Sequence, residues 1–139
     1  MRVVLDTDVI VAGFRSPSGA SAELLRVARD NRLTILASVA LFLEYESKCT
    51  MPEHYRAAGL TFKEAQQFID ALAILIEPVE SYYLWRPQLR DPADEMVLEA
   101  AVNGRAQMLV SFNRRDFAGV PETFGIKLLL PSEALEKLR

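Results

Sequence analysis

The run Val3-Val4-Leu5 stays apolar at every position and then stops at Asp6-Thr7-Asp8, before a second apolar run at residues 9–14. A strand without polar alternation has no face for water, so it belongs inside a sheet covered on both sides. Acid at the carboxyl end of such a strand is hard to explain as packing, because a buried charge is costly unless something pairs with it. Open α/β sheets collect ligands outside those strand ends, which places Asp6 where such a fold keeps its chemistry.

The rest of the chain repeats the theme. Ser16-Pro17-Ser18-Gly19 marks a turn. Leu24, Leu25 and Val27, set among Glu23, Arg26 and Arg29, then suit an amphipathic helix over residues 21–30. Residues 33–37 read as a second strand, with Ser38 as N-cap of a helix carrying Leu41, Leu43, Glu44 and Tyr45. Thr61 and Glu64 form a capping box for a helix through Phe68, Ile69, Leu72 and Leu75 that Pro78 ends. After a less regular stretch, Asp91-Pro92-Ala93-Asp94-Glu95 opens another helix, with its acids where they suit the dipole. That helix stops at Asn103-Gly104. Residues 108–111 and 126–130 complete the strands, and Pro131-Ser132 introduces a terminal helix. Strands alternating with helices predict an α/β fold, with a parallel sheet of four or five strands covered on both faces.

With 139 residues, 50% of them hydrophobic, the chain has the size of one domain spanning 1–139 with a core of its own. It has no apolar run of membrane-spanning length and no leader pattern, so a soluble cytoplasmic protein without a membrane partner is expected. The single cysteine, Cys49, has no partner for a disulfide or a thiolate metal site, which fits a reducing compartment. A net charge of −3 argues against nucleic-acid binding through overall positive charge. It leaves a nuclease open, since carboxylates that hold divalent metal look acidic until the metal is counted.

Four acids stand out: Asp6, Glu44, Asp94 and Asp116. Asp6 ends the first strand, and Asp116 closes Ser111-Phe112-Asn113-Arg114-Arg115-Asp116 after the third. In a right-handed parallel sheet those strand ends share one edge. Glu44 and Asp94 lie on helices that can bring them to the same cleft. Two carboxylates about 4 Å apart repel by about 4 kcal/mol at an effective dielectric of about 20, so a cation must offset them or protons must bind. Oxygen donors without a His or Cys cluster select Mg2+ or Mn2+. Such ions can activate a water against phosphorus.

At these positions the chain resembles the PIN-domain family, in particular the bacterial toxin-like branch related to VapC ribonucleases. The segments that carry the resemblance are VVLDTDVIVAGF, LASVALFLEYES and DPADEMVLEAAVNGRAQMLVSFNRRDF, in that order. The resemblance implies a three-layer α/β/α fold and a Mg2+- or Mn2+-dependent ribonuclease that hydrolyses RNA phosphodiester bonds. It further implies the toxin of a toxin–antitoxin pair, held inactive by a small antitoxin, and a homodimer. The family's metal-binding acids map onto Asp6, Glu44, Asp94 and Asp116, which serve as both the catalytic and the metal set. The chain departs from the family pattern at two positions: Asn113 stands where many members carry another acid, and Ser111 where Thr is common.

Secondary candidates are Asp8, Asp91, Glu95, Ser111 and Asn113. Asp8 is either functional or a cap for the following helix, Asp91 reads as a helix cap, and Glu46 reads as exposed surface. Arg114 and Arg115 are either phosphate contacts or a solvated pair. Arg15 stays unassigned. His54, the only histidine, sits in a Pro-containing connector that reads as remote from every acidic segment. Tyr82, Tyr83, Trp85 and Arg86 either stack on bases or pack a loop or dimer surface. Two other functions compete. One is a non-catalytic nucleic-acid- or protein-binding module, which Asn113 allows. The other is a haloacid dehalogenase-like phosphatase with Asp6 as nucleophile, whose required order of later motifs fails here.

Overall fold

The computed structural model describes residues 1–80 and 87–138, so Tyr82, Tyr83, Trp85 and Arg86 lie outside the described residues. Strand β1 (Arg2–Leu5) passes directly into helix α1 (Thr7–Arg15), capped by the Asp6 carboxylate. The apolar run at residues 9–14 is therefore helical, and Val9, Ile10, Gly13 and Phe14 form its buried face. Helix α2 (Ala20–Arg29) and strand β2 (Thr34–Ala37) follow. Ser38 then caps helix α3 (Val39–Cys49) by accepting from the Leu41 N–H at 3.1 Å. Helix α4 (Pro52–Ala57) begins with proline in its first turn, where the missing N–H costs nothing. Helix α5 (Phe62–Leu75) opens on the reciprocal Thr61–Glu64 capping box and leads into strand β3 (Ile76–Pro78). Helix α6 (Pro92–Asn103) starts where Asp91 accepts from the Ala93 N–H at 2.9 Å. Strand β4 (Met108–Val110), the short helices α7 (Arg114–Phe117) and α8 (Val120–Thr123), strand β5 (Lys127–Leu129) and helix α9 (Pro131–Lys137) complete the chain.

The five strands are all parallel, in the order β3-β2-β1-β4-β5. Val3 pairs with Ile35 on one side and Met108 on the other. Val3, Val4 and Leu5 are fully buried, as their lack of alternation requires. Helix α6 packs over β1, β2 and β4, and α9 packs on β4, β5 and α2, within a three-layer α/β/α arrangement. The chain builds outward from β1 to β2 and β3, then crosses back to place β4 and β5 on the other side. The reversal leaves a crevice outside the carboxyl ends of β1 and β4, the place where open α/β sheets bind ligands.

Three local expectations need correction. Asp6 rather than Asp8 caps α1, and Asp8 lies within its first turn. The helix ending at Pro78 stops at Leu75, because residues 76–78 pair with β2 as an edge strand. Proline is tolerated there, since an edge needs one row of N–H groups fewer. Gly104 does follow α6, but with φ −84° rather than in a left-handed cap. Its lack of a side chain serves close approach instead: a Cβ would lie 2.9 Å from the Ala100 oxygen, Leu36 Cδ1 and Val79 Cγ2.

Candidate active site

The β1–β4 ladder continues one residue past β1, with the Asp6 N–H donating to the Val110 carbonyl at 2.8 Å. That bond fixes the acid at the strand end. Its Oδ1 accepts from the Thr7 N–H at 2.8 Å and its Oδ2 from the Ser111 hydroxyl at 2.7 Å. The Ser111 oxygen in turn accepts from the Asn113 N–H at 2.9 Å. Asn113 Nδ2 donates to Asp116 Oδ2 at 2.5 Å. Asp6, Ser111, Asn113 and Asp116 thus form one connected polar chain across two strand ends.

Burial pushes the Asp6 carboxyl above its ordinary range against the pull of the Ser111 and Thr7 hydrogen bonds, and the charges of Asp116 and Asp91 push the same way. Asp94, 8% exposed on the first turn of α6, is raised to about 6 by burial and then by Asp6, Asp91 and Asp116. Asp8 is raised to about 7 by burial and by Asp6, and its Oδ1 is buried without a hydrogen-bond partner. Its Oδ2 accepts from the Phe112 N–H at 3.2 Å. The charge of Asp116 thus bears on both Asp6 and Asp94, and that of Asp6 on Asp94, which brings together three of the four expected acids with Asp91 beside them. Asp91, Asp94, Arg115 and Asp116 line a cleft of about 460 Å3.

The remaining candidates separate from this group. Glu44 lines a second cavity with Thr7 and Asp8, and stands 3.9 Å from Lys48 one turn along α3. Glu95 is buried and turned to the chain, accepting from the backbone N–H groups of Gln88 and Leu89 at 2.8–3.1 Å. Arg114 pairs with Glu133 at 3.0 Å, whereas Arg115 lines the acidic cleft. Among the described residues, no three Asp, Glu, His or Cys side chains are placed to hold a metal ion as they stand. The donor chemistry nevertheless fits a hard cation: all the groups offer oxygen, and their repulsion is the kind a cation relieves.

The sequence reading missed two features. The Tyr45 hydroxyl, fully buried, donates to the Leu5 carbonyl and so ties α3 to the strand end that precedes Asp6. Burial and the Asp6 charge keep that hydroxyl protonated. His54 is not remote from the acids: α4 packs against α1, so His54 lines the same cavity as Asp8 and Glu44. Met51 ahead of Pro52 was the available signal, since proline in a first helical turn marks a helix rather than a connector.

A sequence profile of the PIN domain matches residues 2–115, and the chain belongs to the PIN domain family, a family of nucleases that typically use divalent metal. The fold is similar to that of a chain in the crystal structure of VapBC2 from Rickettsia felis bound to a DNA fragment from their promoter. The two are 15% identical and superpose with a TM-score of 0.63 over 92% of this chain and 97% of that one. No curated protein matches the chain by sequence. Family membership sets aside the dehalogenase-like alternative. Among the described residues, no helix is long and apolar enough to cross a membrane.

Proposed function

We propose that this protein is a cytoplasmic Mg2+- or Mn2+-dependent endoribonuclease, and that it is the toxin of a toxin–antitoxin pair, acting as a homodimer. The observation that carries the reading is the polar chain Asp6–Ser111–Asn113–Asp116 across two strand ends at the switch point of a PIN fold, with Asp94 close enough to be raised by both Asp6 and Asp116. In this reading Asp6, Asp94 and Asp116 hold the metal, and Glu44, in the neighbouring cavity beside Asp8, is the fourth acid of the set. A divalent ion bound there supplies a water acidic enough to attack phosphorus and a charge to stabilise the leaving oxygen. The chain's own groups do the positioning. Ser111 orients Asp6 through its hydroxyl, Asn113 holds Asp116, and Arg115 stands in the cleft where a guanidinium can bind a phosphate oxygen. The VapBC2 likeness supports an antitoxin partner, and in this reading that partner inhibits by covering the cleft.

The deciding experiment incubates purified protein with mixed single-stranded RNA in Mg2+, Mn2+ or chelator, with Asp6→Asn alongside. Cutting that chelator abolishes and the variant lacks is the expected result. Cutting unaffected by either overturns the assignment of these acids. A non-catalytic binding module is the second reading, favoured by the absence, among the described residues, of a preassembled three-ligand cluster. Metal titration separates the two.

A further inference from the structure

A cavity of about 600 Å3 lies on the α1 side of Asp6 and is walled by α1, α3 and α4. It begins at Thr7 and Asp8, one and two residues past the strand-end acid. Val11 and Ala12 supply apolar wall, and Arg15, Lys48 and His54 bring three basic side chains to one place in a chain of net charge −3. Both α1 and α3 run away from the carboxyl edge of the sheet, and on each the acid comes first. Arg15 follows Asp8 by seven residues and Lys48 follows Glu44 by four, distances of about 10 and about 6 Å along the helices. The cavity therefore has an acidic end beside Asp6 and a basic end one to two turns beyond.

The cations are available for a ligand. Arg15 is exposed and makes no ion pair among the described residues. Among the described residues its one side-chain polar contact is from Nη1 to His54 Nδ1 at 3.4 Å. Lys48 reaches Glu44 only at 3.9 Å, with both side chains partly exposed, a pair worth little in water.

We propose that this cavity seats the nucleotide flanking the cleaved bond of a single-stranded RNA, its base against Val11 and Ala12 and its phosphate on Arg15 and Lys48. An apolar chamber of this volume suits a small planar group. Single-stranded sites combine a base-packing wall with cations that follow the backbone. A duplex offers no free base for the chamber. The inference rests on the ribonuclease reading for what happens at the acidic end, and its test reads binding rather than cutting.

The test measures fluorescence anisotropy of a labelled single-stranded RNA octamer bound by the full chain in chelator, across a salt series. Arg15→Ala and Lys48→Ala should each weaken binding about tenfold, within the range of single contacts to a strand. Each should also lower the slope of log K against log salt by about 0.7, the loss of one phosphate contact on a single strand. Arg15→Lys should restore the slope, and Arg29→Ala, on exposed α2 surface, should change nothing. Ala12→Phe, which fills the chamber, should weaken RNA but not an abasic strand. Unfolding midpoints near wild type confirm that each variant is folded. Wild-type binding that Arg15→Ala and Lys48→Ala leave intact overturns the proposal while the nuclease reading stands. Equal binding of duplex and single strand, or no RNA binding at all, also overturns it. Failure of the nuclease reading shows separately, as cutting that ignores Asp6→Asn.

Discussion

Asp6 combines two demands: its oxygens satisfy the first turn of α1 and the Ser111 hydroxyl, while its charge sits among other acids. Asp6→Asn keeps a hydrogen-bonding side chain and removes the charge. It should abolish chelator-sensitive cleavage yet raise the melting temperature, and carboxyl titration followed by NMR should show Asp8 and Asp94 moving down, since Asp6 raises both. A lower melting temperature would contradict the repulsion. Tyr45→Phe keeps the ring and withdraws the donor from the Leu5 carbonyl. A loss of about 1–2 kcal/mol in urea unfolding is expected for a buried acceptor left short of a partner. The strand-end position of Asp6 was readable from sequence because the unbroken apolar run Val3-Val4-Leu5 stops at it. The roles of Tyr45 and His54 were not, because a helix pattern shows which residues are apolar and not which atom another element will offer them.

At the scale of elements, local chemistry predicted ends better than it predicted identities. Ser38, Thr61 and Asp91 all cap the helices their spacing announces, because capping bonds form within three residues and need no tertiary partner. Thr61→Ala should therefore cost about 1 kcal/mol of stability, with no change in RNA cleavage; a neutral result in urea unfolding would mean the capping box is redundant. Strand β3 escaped notice because three residues ending in proline carry no strand signal until β2 offers them a ladder. Gly104 shows the same dependence. A helix C-terminal glycine was legible, but the reason for it lies in Leu36 and Val79, distant in sequence. Gly104→Ala should cost about 1–3 kcal/mol by overpacking, against the slight gain expected if only backbone entropy mattered.

For the whole molecule, the raised carboxyls couple folding to pH. Asp8 titrates at about 7 and Asp94 at about 6 when folded, both from an ordinary 3.8. Between those values the folded chain keeps protons that the unfolded chain has released, so their contribution to stability is full below about pH 4. It falls as pH rises and levels off above about pH 7. Metal binds the ionised form, so Mg2+ should raise the melting temperature more at pH 8 than at pH 5. Equal shifts in a thermal melt would exclude these acids as ligands. The sequence alone determined the alternation of buried strands and capped helices, the parallel sheet and the strand-end position of Asp6, because hydrophobic periodicity and capping act within a few residues. Only the tertiary structure decided that Asp94 and Asp116 join Asp6, that Glu95 turns to the backbone, and that Arg15, Lys48 and His54 meet across three helices. Those outcomes depend on how the elements pack, and packing sums contacts between residues far apart in the chain.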